Sequence, residues 1–540
     1  MAVKILKNKL NNFFLPHQIL YVCLITVGTL FFASCTDKDI NVDPARITDE
    51  QLMADANAGG YLLPNMMYNI VPTTTTLQTV QNLQADSYSG YLETPTPFLN
   101  NQNTTTYFMV TGWNQNAWNT ATQNVMDNWF LMRRNGVDTA YQDLYSIALI
   151  IKVAAMHRVV DTFGPYPYVH YGESSNIEFD SVEDIYNAFF SELDQAVETL
   201  TQAETDNPDA DVVRFQRWDV SSLGGEYTNW IKLANSLRLR LAMRIVDVNP
   251  QLAQQQAERA VSTADGGLGV LDREFEIVAA SGNPYFTFTR DWSDTRLAAS
   301  IETYLKGFND PRLEAYALPA ADPLVTGETS RDRIKGIRPG VERPAKERYV
   351  NFSEPNFTAA SPVKQISLAE GFFLRAEGVL RGWDMGGGTA QEFYEQGIAA
   401  SFNYYGVSGL DEYLAGTTSQ ISYVDPRNTA NNSAPVSTVT VQWNEAASFE
   451  EKLEKIITQK WVACYPEGTE AWSEFRRTGY PKMYPVMISY SADLPLGTFI
   501  KRLTYPQSVY SSSGSAVNNA VNNFLGGNDS PATPLWWDVD

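Results

Sequence analysis

Cysteine, histidine and positive charge are scarce in this chain of 540 residues, which has three cysteines, three histidines and a formal net charge of −22 at pH 7. The acidic balance argues against a nucleic-acid ligand and against adsorption to anionic lipid, because both partners are negatively charged. Hydrophobic residues make up 44% of the chain, which is ample for a core in one large domain or in two to four ordinary ones.

The few cysteines exclude an internal disulfide framework. Cys23 lies in an apolar N-terminal run and Cys35 follows that run, so only Cys464 remains in the body of the chain. A single cysteine forms neither an intramolecular disulfide nor a cysteine metal site. We therefore expect a fold stabilised by packing, with no metal and no cofactor.

Sequence signals of catalysis are missing as well. The chain has no nucleophile elbow, no cysteine–histidine pair and no zinc-binding helix motif. His157 falls on a helical face, where a packed histidine is expected. The 62 acidic residues include many carboxylate pairs, so counting alone does not exclude a glycoside hydrolase. Because no pair stands out, we expect no catalytic residues.

The longest apolar segment lies near the N-terminus, at residues 19–32, after Lys4, Lys7 and Lys9. It is shorter than the roughly 20 residues that a transmembrane helix needs, and it has the length of a secretory h-region. Ala33, Ser34 and Cys35 follow. This end resembles a bacterial lipoprotein signal, which is cleaved before a cysteine that is then acylated.

The resemblance predicts a lipoprotein signal peptide over residues 1–34 and a flexible tether with a lipidated Cys35 over residues 35–47. Residues 36–39, Thr-Asp-Lys-Asp, are similar to the acidic signal that directs some lipoproteins to the cell surface. We therefore expect a lipid-anchored protein on the outer face of the outer membrane. An ordinary signal peptide with an incidental cysteine and an uncleaved anchor are the alternatives.

Hydrophobic periodicity predicts a mostly α-helical body over residues 48–540. Thr48 and Gln51 match a capping box at its start. Helices are predicted from about Gly136 to residue 160, from Ser181 to Leu200, and over residues 230–244, 254–264, 366–381, 390–405 and 445–465. Residues 318–363 and 410–441 are rich in polar, proline or glycine residues and predict long loops.

Residues 71–122 have a different composition, with many Thr, Asn and Gln residues and interleaved aromatic residues. Their weak hydrophobic periodicity predicts long surface loops and short turns, where binding residues tend to lie. Residues 283–292 form a second aromatic segment. Aromatic rings pack against the C–H faces of sugars, while Asn, Gln and Asp side chains bond the hydroxyls.

Several motifs, in their order along the chain, resemble the SusD/RagB family of surface lipoproteins, and more closely its SusD-like branch. They include residues 161–168, 230–240, 309–313, 370–377, 457–461, 476–481, 505–507 and 535–538. One departure is Val509-Tyr510, where relatives usually carry an acidic residue.

The resemblance implies a single α-helical domain with tetratricopeptide-like helix pairs, extensive loops and no enzymatic activity. Its expected role is to capture an oligosaccharide and deliver it to a SusC-like TonB-dependent transporter. A peptide ligand is the alternative within this role, and a secreted glycoside hydrolase is the alternative outside it.

The sequence also predicts structural contacts for two groups of residues and a ligand-binding role for a third. Arg240 and Arg244 are expected to pair with acidic residues on a neighbouring helix, with Glu370 and Glu377 as candidates, and Trp536-Trp537 is expected to pin the C-terminal tail. The candidate ligand-binding residues are Tyr88, Tyr91, Trp113, Asn114, Asn283, Tyr285 and Trp292, and the family resemblance suggests that their two segments face each other.

The lipoprotein prediction is tested by mass spectrometry of the mature N-terminus. We expect the chain to begin at an acylated Cys35, because the apolar run and the small residues precede it directly. A mature N-terminus that is unmodified and lies downstream of Cys35, or one that retains Lys4, would contradict the prediction.

Overall fold

The computed structural model describes residues 57–174, 177–206, 215–264 and 267–539. The predicted signal peptide, Cys35, the tether and the capping box at Thr48 lie outside these residues. The part of the chain from Ala58 onward forms one unit, and it is mostly α-helical, as predicted. None of its described helices is both long and apolar enough to cross a membrane.

Twelve longer helices carry the labels used below. They are α1 Thr111–Ala121, α2 Asp127–Arg134, α3 Gln142–Phe163, α4 Val182–Asp206, α5 Tyr227–Arg244, α6 Pro250–Val261, α7 Ala299–Gly307, α8 Leu368–Leu380, α9 Ala390–Tyr405, α10 Phe449–Cys464, α11 Gly468–Thr478 and α12 Gln507–Phe524. A π-helical turn, Thr122–Met126, joins α1 to α2 in one continuous helical stretch.

Shorter elements fill the connections between these helices. The short α-helices are Asn57–Gly60, Leu63–Met67, Ala85–Tyr88, Val137–Ala140, Pro284–Phe286, Arg312–Tyr316 and Leu410–Leu414; π-helical turns are at Gln78–Asn82 and Thr287–Asp291; 3₁₀ turns are at Phe98–Asn101, Thr104–Thr106, Lys346–Arg348 and Thr429–Asn431. Strand β1 (Leu92–Glu93) pairs antiparallel with β3 (Arg296–Leu297), and β2 (Phe275–Ile277) pairs antiparallel with β4 (Val363–Ile366).

The long helices pack as successive pairs: α3 with α4, α5 with α6, α8 with α9, and α10 with α11. The apolar stripe of α5 shows why they do so. Leu233, Leu237 and Leu241 recur every four residues, so they share one face of the helix, and all three are buried. Helix α9 begins with a capping box between Thr389 and Glu392 and ends at Gly406, which adopts the left-handed conformation of a helix C-cap.

The predicted helices are all present, with ends shifted by a few residues. The prediction for residues 71–122 is wrong in one part, because Thr111–Ala121 is a helix. The buried face of α1 consists of Asn114, Ala117, Trp118, Thr120 and Ala121, so small and polar side chains hide the usual apolar period. The helix α12 was not predicted, for a similar reason: it is built largely from serine and asparagine.

Four helices meet at a cluster of buried charges. Arg240 on α5 donates two hydrogen bonds to Glu370 on α8, at 2.7 and 2.6 Å, as predicted. Arg244 contacts two carboxylates of α11, Glu470 at 2.6 Å and Glu474 at 2.7 Å. We call Arg240, Arg244, Lys460, Arg477, Glu370, Glu377, Glu470 and Glu474 the charge cluster.

The suggested pairing of Glu377 with the α5 arginines is wrong. Glu377 instead accepts two hydrogen bonds from Arg477 of α11, at 2.8 and 2.7 Å. Sequence spacing placed Glu370 and Glu377 on one helix, but it could not show that α11 lies against the second of them.

The C-terminal tail is pinned as expected. The side chain of Trp537 is fully buried, and its indole N–H donates a hydrogen bond to Asp161, at the end of α3, over 3.0 Å. Trp536 lies against Tyr186 of α4, with ring centroids 6.2 Å apart. The tail therefore closes over the end of the first helix pair.

Loss of a cation from the charge cluster should destabilise the fold strongly. Arg244→Met leaves Glu470 and Glu474 short of a buried partner, and we expect a loss of about 3–5 kcal/mol in the free energy of unfolding. The measurement is denaturant unfolding followed by circular dichroism. Lys232→Met on the same helix is the matched control, because Lys232 and Asp272 form a more exposed pair, whose loss should cost no more than about 1 kcal/mol. Equal losses in the two variants would contradict the assigned role of the cluster.

Candidate functional site

The two aromatic segments singled out in the sequence lie against each other. Strand β1 of the first segment pairs with β3, which follows the second segment, with Leu92 opposite Leu297. Deeper in the protein, the hydroxyl of Tyr285 donates a hydrogen bond to Asp86 over 2.8 Å and accepts one from Gln81 over 2.9 Å. The suggestion that these segments meet therefore agrees with the structure.

Five of the seven candidate ligand-binding residues are buried in this structure, and the other two keep access to solvent. The buried five are Tyr88, Tyr91, Asn114, Asn283 and Tyr285. The Tyr91 ring stacks on Trp461 with a centroid distance of 5.4 Å, and the Tyr88 ring packs on Trp472 at 5.1 Å. The two segments that carry these five residues have the composition of a sugar-binding site. Aromatic and amide side chains also occur together in polar protein cores, so composition alone does not distinguish the two.

The buried amides fix the backbone of this region. Asn114 Nδ2 donates a hydrogen bond to the carbonyl of Thr504 over 3.0 Å, which ties α1 to the segment before α12. Asn283 Oδ1 accepts a hydrogen bond from the backbone N–H of Tyr285 over 2.8 Å, as a helix N-cap does. These residues position the two segments.

Trp113 and Trp292 are the two candidates that keep access to solvent. Trp292 is 40% exposed and packs on Phe288, with ring centroids 5.5 Å apart. Trp113 is half-buried and meets Phe98 edge to face at 5.7 Å. We call Phe98, Trp113 and Trp292 the aromatic rim. Phe98 was not among the candidates, although it lies in the same aromatic segment.

A carboxylate connects the two sides of the aromatic rim. Asp294, two residues after Trp292, accepts a hydrogen bond from the hydroxyl of Thr96, two residues before Phe98. It also contacts Lys346 Nζ at 2.8 Å, and Lys346 donates a second hydrogen bond to the carbonyl of Trp292 over 2.6 Å. Sequence reasoning missed Thr96, Asp294 and Lys346, because the partners are far apart along the chain.

The turn that carries Phe98 has an unusual backbone. Leu99, Asn100 and Asn101 have φ angles of 53°, 56° and 68°, in the left-handed region that residues other than glycine rarely occupy. Side-chain hydrogen bonds hold the turn: Asn103 Nδ2 donates to the carbonyl of Phe98 over 2.9 Å, and Asn101 Nδ2 donates to the carbonyl of Arg343 over 3.0 Å. Strain of this kind concentrates at ligand sites and switch regions.

A buried carboxyl group lies beneath the region. Burial raises the pKa of Asp86 to about 7, although hydrogen bonds from Gln81, Tyr285 and Asn82 oppose the shift. Gly468 allows α11 to approach this carboxylate, since a Cβ at that position would lie 2.2 Å from Asp86 Oδ1. Asp86 therefore anchors both segments to the helical body.

Two other expectations concern chemistry at the site. His157 is buried, and its Nδ1 lies 3.0 Å from the carbonyl of Val153, which agrees with a packed histidine. Across residues 57–174, 177–206, 215–264 and 267–539, no group of three or more His, Cys, Asp or Glu side chains is arranged to hold a metal ion.

Comparison with known proteins gives one family and several similar structures. The family model described as SusD-like, "Susd and RagB outer membrane lipoprotein", matches residues 39–538. A chitin-binding SusD homolog from Flavobacterium johnsoniae is 41% identical, with a TM-score of 0.83, over 89% of this chain and 98% of that one.

Two structures from Bacteroides are also similar. A SusD homolog from Bacteroides uniformis is 34% identical with a TM-score of 0.81, and a SusD-like protein from Bacteroides thetaiotaomicron is 31% identical with a TM-score of 0.82. Each match covers 89% of this chain and 99% of the other. A search of curated proteins gave no match.

The raised pKa of Asp86 predicts a pH dependence of stability. The carboxyl has a usual pKa of 3.8 and a pKa of about 7 in the fold. Between these values the folded state holds a proton that the unfolded state has released, so the contribution of Asp86 to stability falls as the pH rises from about 4 to about 7. In Asp86→Asn this contribution is absent, so the Tm of the variant relative to the parent should rise between pH 5 and pH 8.

Thermal unfolding at a series of pH values measures the effect. Asp272→Asn is the control, because the pKa of Asp272 is lowered by the hydrogen bond from Lys232 and its titration lies below this range. A Tm difference between Asp86→Asn and the parent that stays constant from pH 5 to pH 8 would contradict the prediction.

Proposed function

Because this chain belongs to the SusD-like family of outer membrane lipoproteins, we propose that it is a cell-surface receptor that captures an oligosaccharide. It then delivers the oligosaccharide to a SusC-like TonB-dependent transporter in the outer membrane. The receptor role requires binding and release, and no bond of the ligand is made or broken. Acyl chains on Cys35 would hold the protein at the membrane, since one chain alone is marginal and several are stable.

The proposed ligand class is an oligosaccharide of N-acetylglucosamine. The observation that carries this choice is the 41% identity, over 89% of this chain, to a SusD homolog described as chitin-binding. The net charge of −22 fits a neutral ligand better than a polyanionic one.

The aromatic rim is the proposed contact surface for the sugar rings. Trp113, Trp292 and Phe98 offer flat apolar faces, and the polar side chains around them can bond hydroxyl and acetamido groups. On α1, Asn116 faces Thr79 with a hydrogen bond of 3.0 Å. Asp294 and Lys346 supply an acceptor and a donor at the opposite side. In this proposal the buried candidates do not touch the ligand; they hold the backbone that carries the rim in place. They are Tyr91, Asn114, Asn283 and Tyr285.

Binding to a defined oligosaccharide tests this proposal. Calorimetry with N-acetylchitohexaose, maltohexaose and a peptide panel should show binding of the parent to the first probe. Removal of a stacked ring in Trp113→Ala or Trp292→Ala should cost on the order of 1–3 kcal/mol, by analogy with aromatic stacking on bases. Phe449→Ala, which removes an exposed aromatic ring at the start of α10, is the matched control and should bind as the parent does.

Three results would contradict parts of the proposal. If both tryptophan variants remain folded and bind the probe as the parent does, the aromatic rim is not the contact surface. If only peptides bind, the ligand class is wrong. Release of shorter sugars from N-acetylchitohexaose by the purified protein would contradict the receptor role itself.

A further inference from the structure

A groove lies between α12 and the short segment at residues 177–179. It has a volume of about 220 Å³, and its lining includes Ser515, Asn519 and Asn523 along one edge of α12. These three residues are spaced by four, so they share one face of the helix and extend over about 12 Å of its axis. Phe524, which is 43% exposed, lies at one end, and Phe179 is on the opposite wall. We call this feature the α12 groove.

The polar side chains of the groove are available to a ligand. Within the described part of the chain, no hydrogen bond engages the side chain of Asn519 or Asn523. Both residues are exposed. An amide offers two donors and an acceptor, which matches the hydroxyl and acetamido groups of a neutral sugar.

The composition of α12 is unusual for a helix whose outer face is only solvated. Residues 503–528 contain no Asp, Glu, Lys, Arg or His, in a chain in which 19% of the residues are charged. Asn518, Asn519, Asn522 and Asn523 occupy two consecutive turns, although asparagine favours a helix less than alanine, glutamate or lysine by several tenths of a kcal/mol each. Helix propensity therefore does not account for these residues.

A larger cavity of about 650 Å³ adjoins the groove and shares Ile177 and Glu178 with it. The rings of Phe130 and Tyr171 line the cavity and meet edge to face at 6.4 Å. Gly172, with a φ of 76°, permits this packing, because a Cβ there would lie 2.6 Å from Phe130 Cζ. The volume of the cavity falls within the range of 300–1,000 Å³ typical of ligand sites. We refer to the groove and the cavity together as the cleft, because they adjoin at Ile177 and Glu178.

The cavity is separate from Trp113, the part of the aromatic rim that lies on α1. Trp113 lies on α1 and Asp127, which lines the cavity, begins α2 in the same continuous helical stretch. Fourteen residues separate them, which corresponds to about 21 Å along a helix axis. One sugar ring at Trp113 therefore cannot also occupy the cavity.

We propose that this cleft, formed by the α12 groove and the adjoining cavity, is a second oligosaccharide-binding site. Asn519 and Asn523 bond the sugar, and Phe524 packs against the face of a ring. The proposal goes beyond the aromatic rim and depends only on the carbohydrate specificity of the protein. A ligand long enough to contact both sites would be held at two points, which raises its avidity.

The test uses a protein that lacks the rim contacts, Trp113→Ala/Trp292→Ala, and N-acetylchitohexaose, cellohexaose and maltohexaose as probes. Calorimetry and saturation-transfer NMR should detect binding of one of these probes to the rim-deficient protein. Adding Asn519→Ala/Asn523→Ala should weaken this binding about tenfold, because two hydrogen bonds to the sugar are lost. Adding Asn518→Ala/Asn522→Ala instead is the matched control, since these residues lie on the same turns of α12 outside the groove and should have no effect.

The outcomes separate this proposal from the function of the rim. Absence of binding in the rim-deficient protein would overturn the second site, and so would equal binding in the two pairs of asparagine variants. Circular dichroism should give the same Tm for these pairs, so that a loss of binding is not a loss of folding. If the groove variant abolishes binding in the parent while the tryptophan variants do not, the rim is wrong and the cleft stands. Binding of peptides alone at the groove would overturn its assignment to carbohydrate.

Discussion

The charge cluster is the constraint on which the packing of the helices depends. It joins α5, α8, α10 and α11, and four cations face four carboxylates within it. Burial alone would raise the pKa of Glu474, but Arg477, Lys460 and Arg244 outweigh burial and hold this pKa well below its usual value. Each charge is therefore stable only while its neighbours stay in place. The helices cannot shift independently, because any displacement would leave a buried ion without a partner.

This rigid body supports the aromatic segments on one side. Arg158 of α3 donates a hydrogen bond to Glu467 over 2.6 Å, and Glu467 Oε2 in turn accepts from the backbone N–H of Glu470 at the start of α11. Arg158 also donates to Gln81, whose amide bonds Asp86 and Tyr285. The polar network is continuous from the helix pairs to the residues beneath the rim. The tryptophans of the aromatic rim therefore lie on a base that packing and hydrogen bonds hold in place.

The family and the mostly helical fold could be predicted from the sequence, and both are confirmed. Helices with apolar stripes, such as α5, can be predicted because their apolar residues recur with the helical period. Helix α1 could not be predicted in this way, because Asn114 and Thr120 are on its buried face. Helix α12 could not be predicted either, because serine and asparagine dominate it. Local composition predicts a helix only where the buried face is apolar.

The site was less predictable than the fold. The sequence identified two aromatic segments that meet, but it could not tell exposed rings from buried ones. Tyr91 and Trp292 both lie in aromatic segments of similar composition. Tyr91 is fully buried against Trp461, whereas Trp292 is 40% exposed. Asp294 and Thr96 meet across about two hundred positions of the chain, and such a contact depends on the tertiary fold. Burial and long-range pairing are properties of the folded chain that no local pattern records.

The left-handed turn at Leu99–Asn101 has a thermodynamic consequence for ligand capture. Its backbone is already held in an uncommon conformation by Asn101 and Asn103, so the conformational entropy of this segment is lost when the protein folds. A ligand that meets Phe98 has no loop to order, and less of its interaction energy opposes association. For the proposed sugar ligand, the same rigidity would leave the ordering of the sugar chain itself as the main entropic cost of binding.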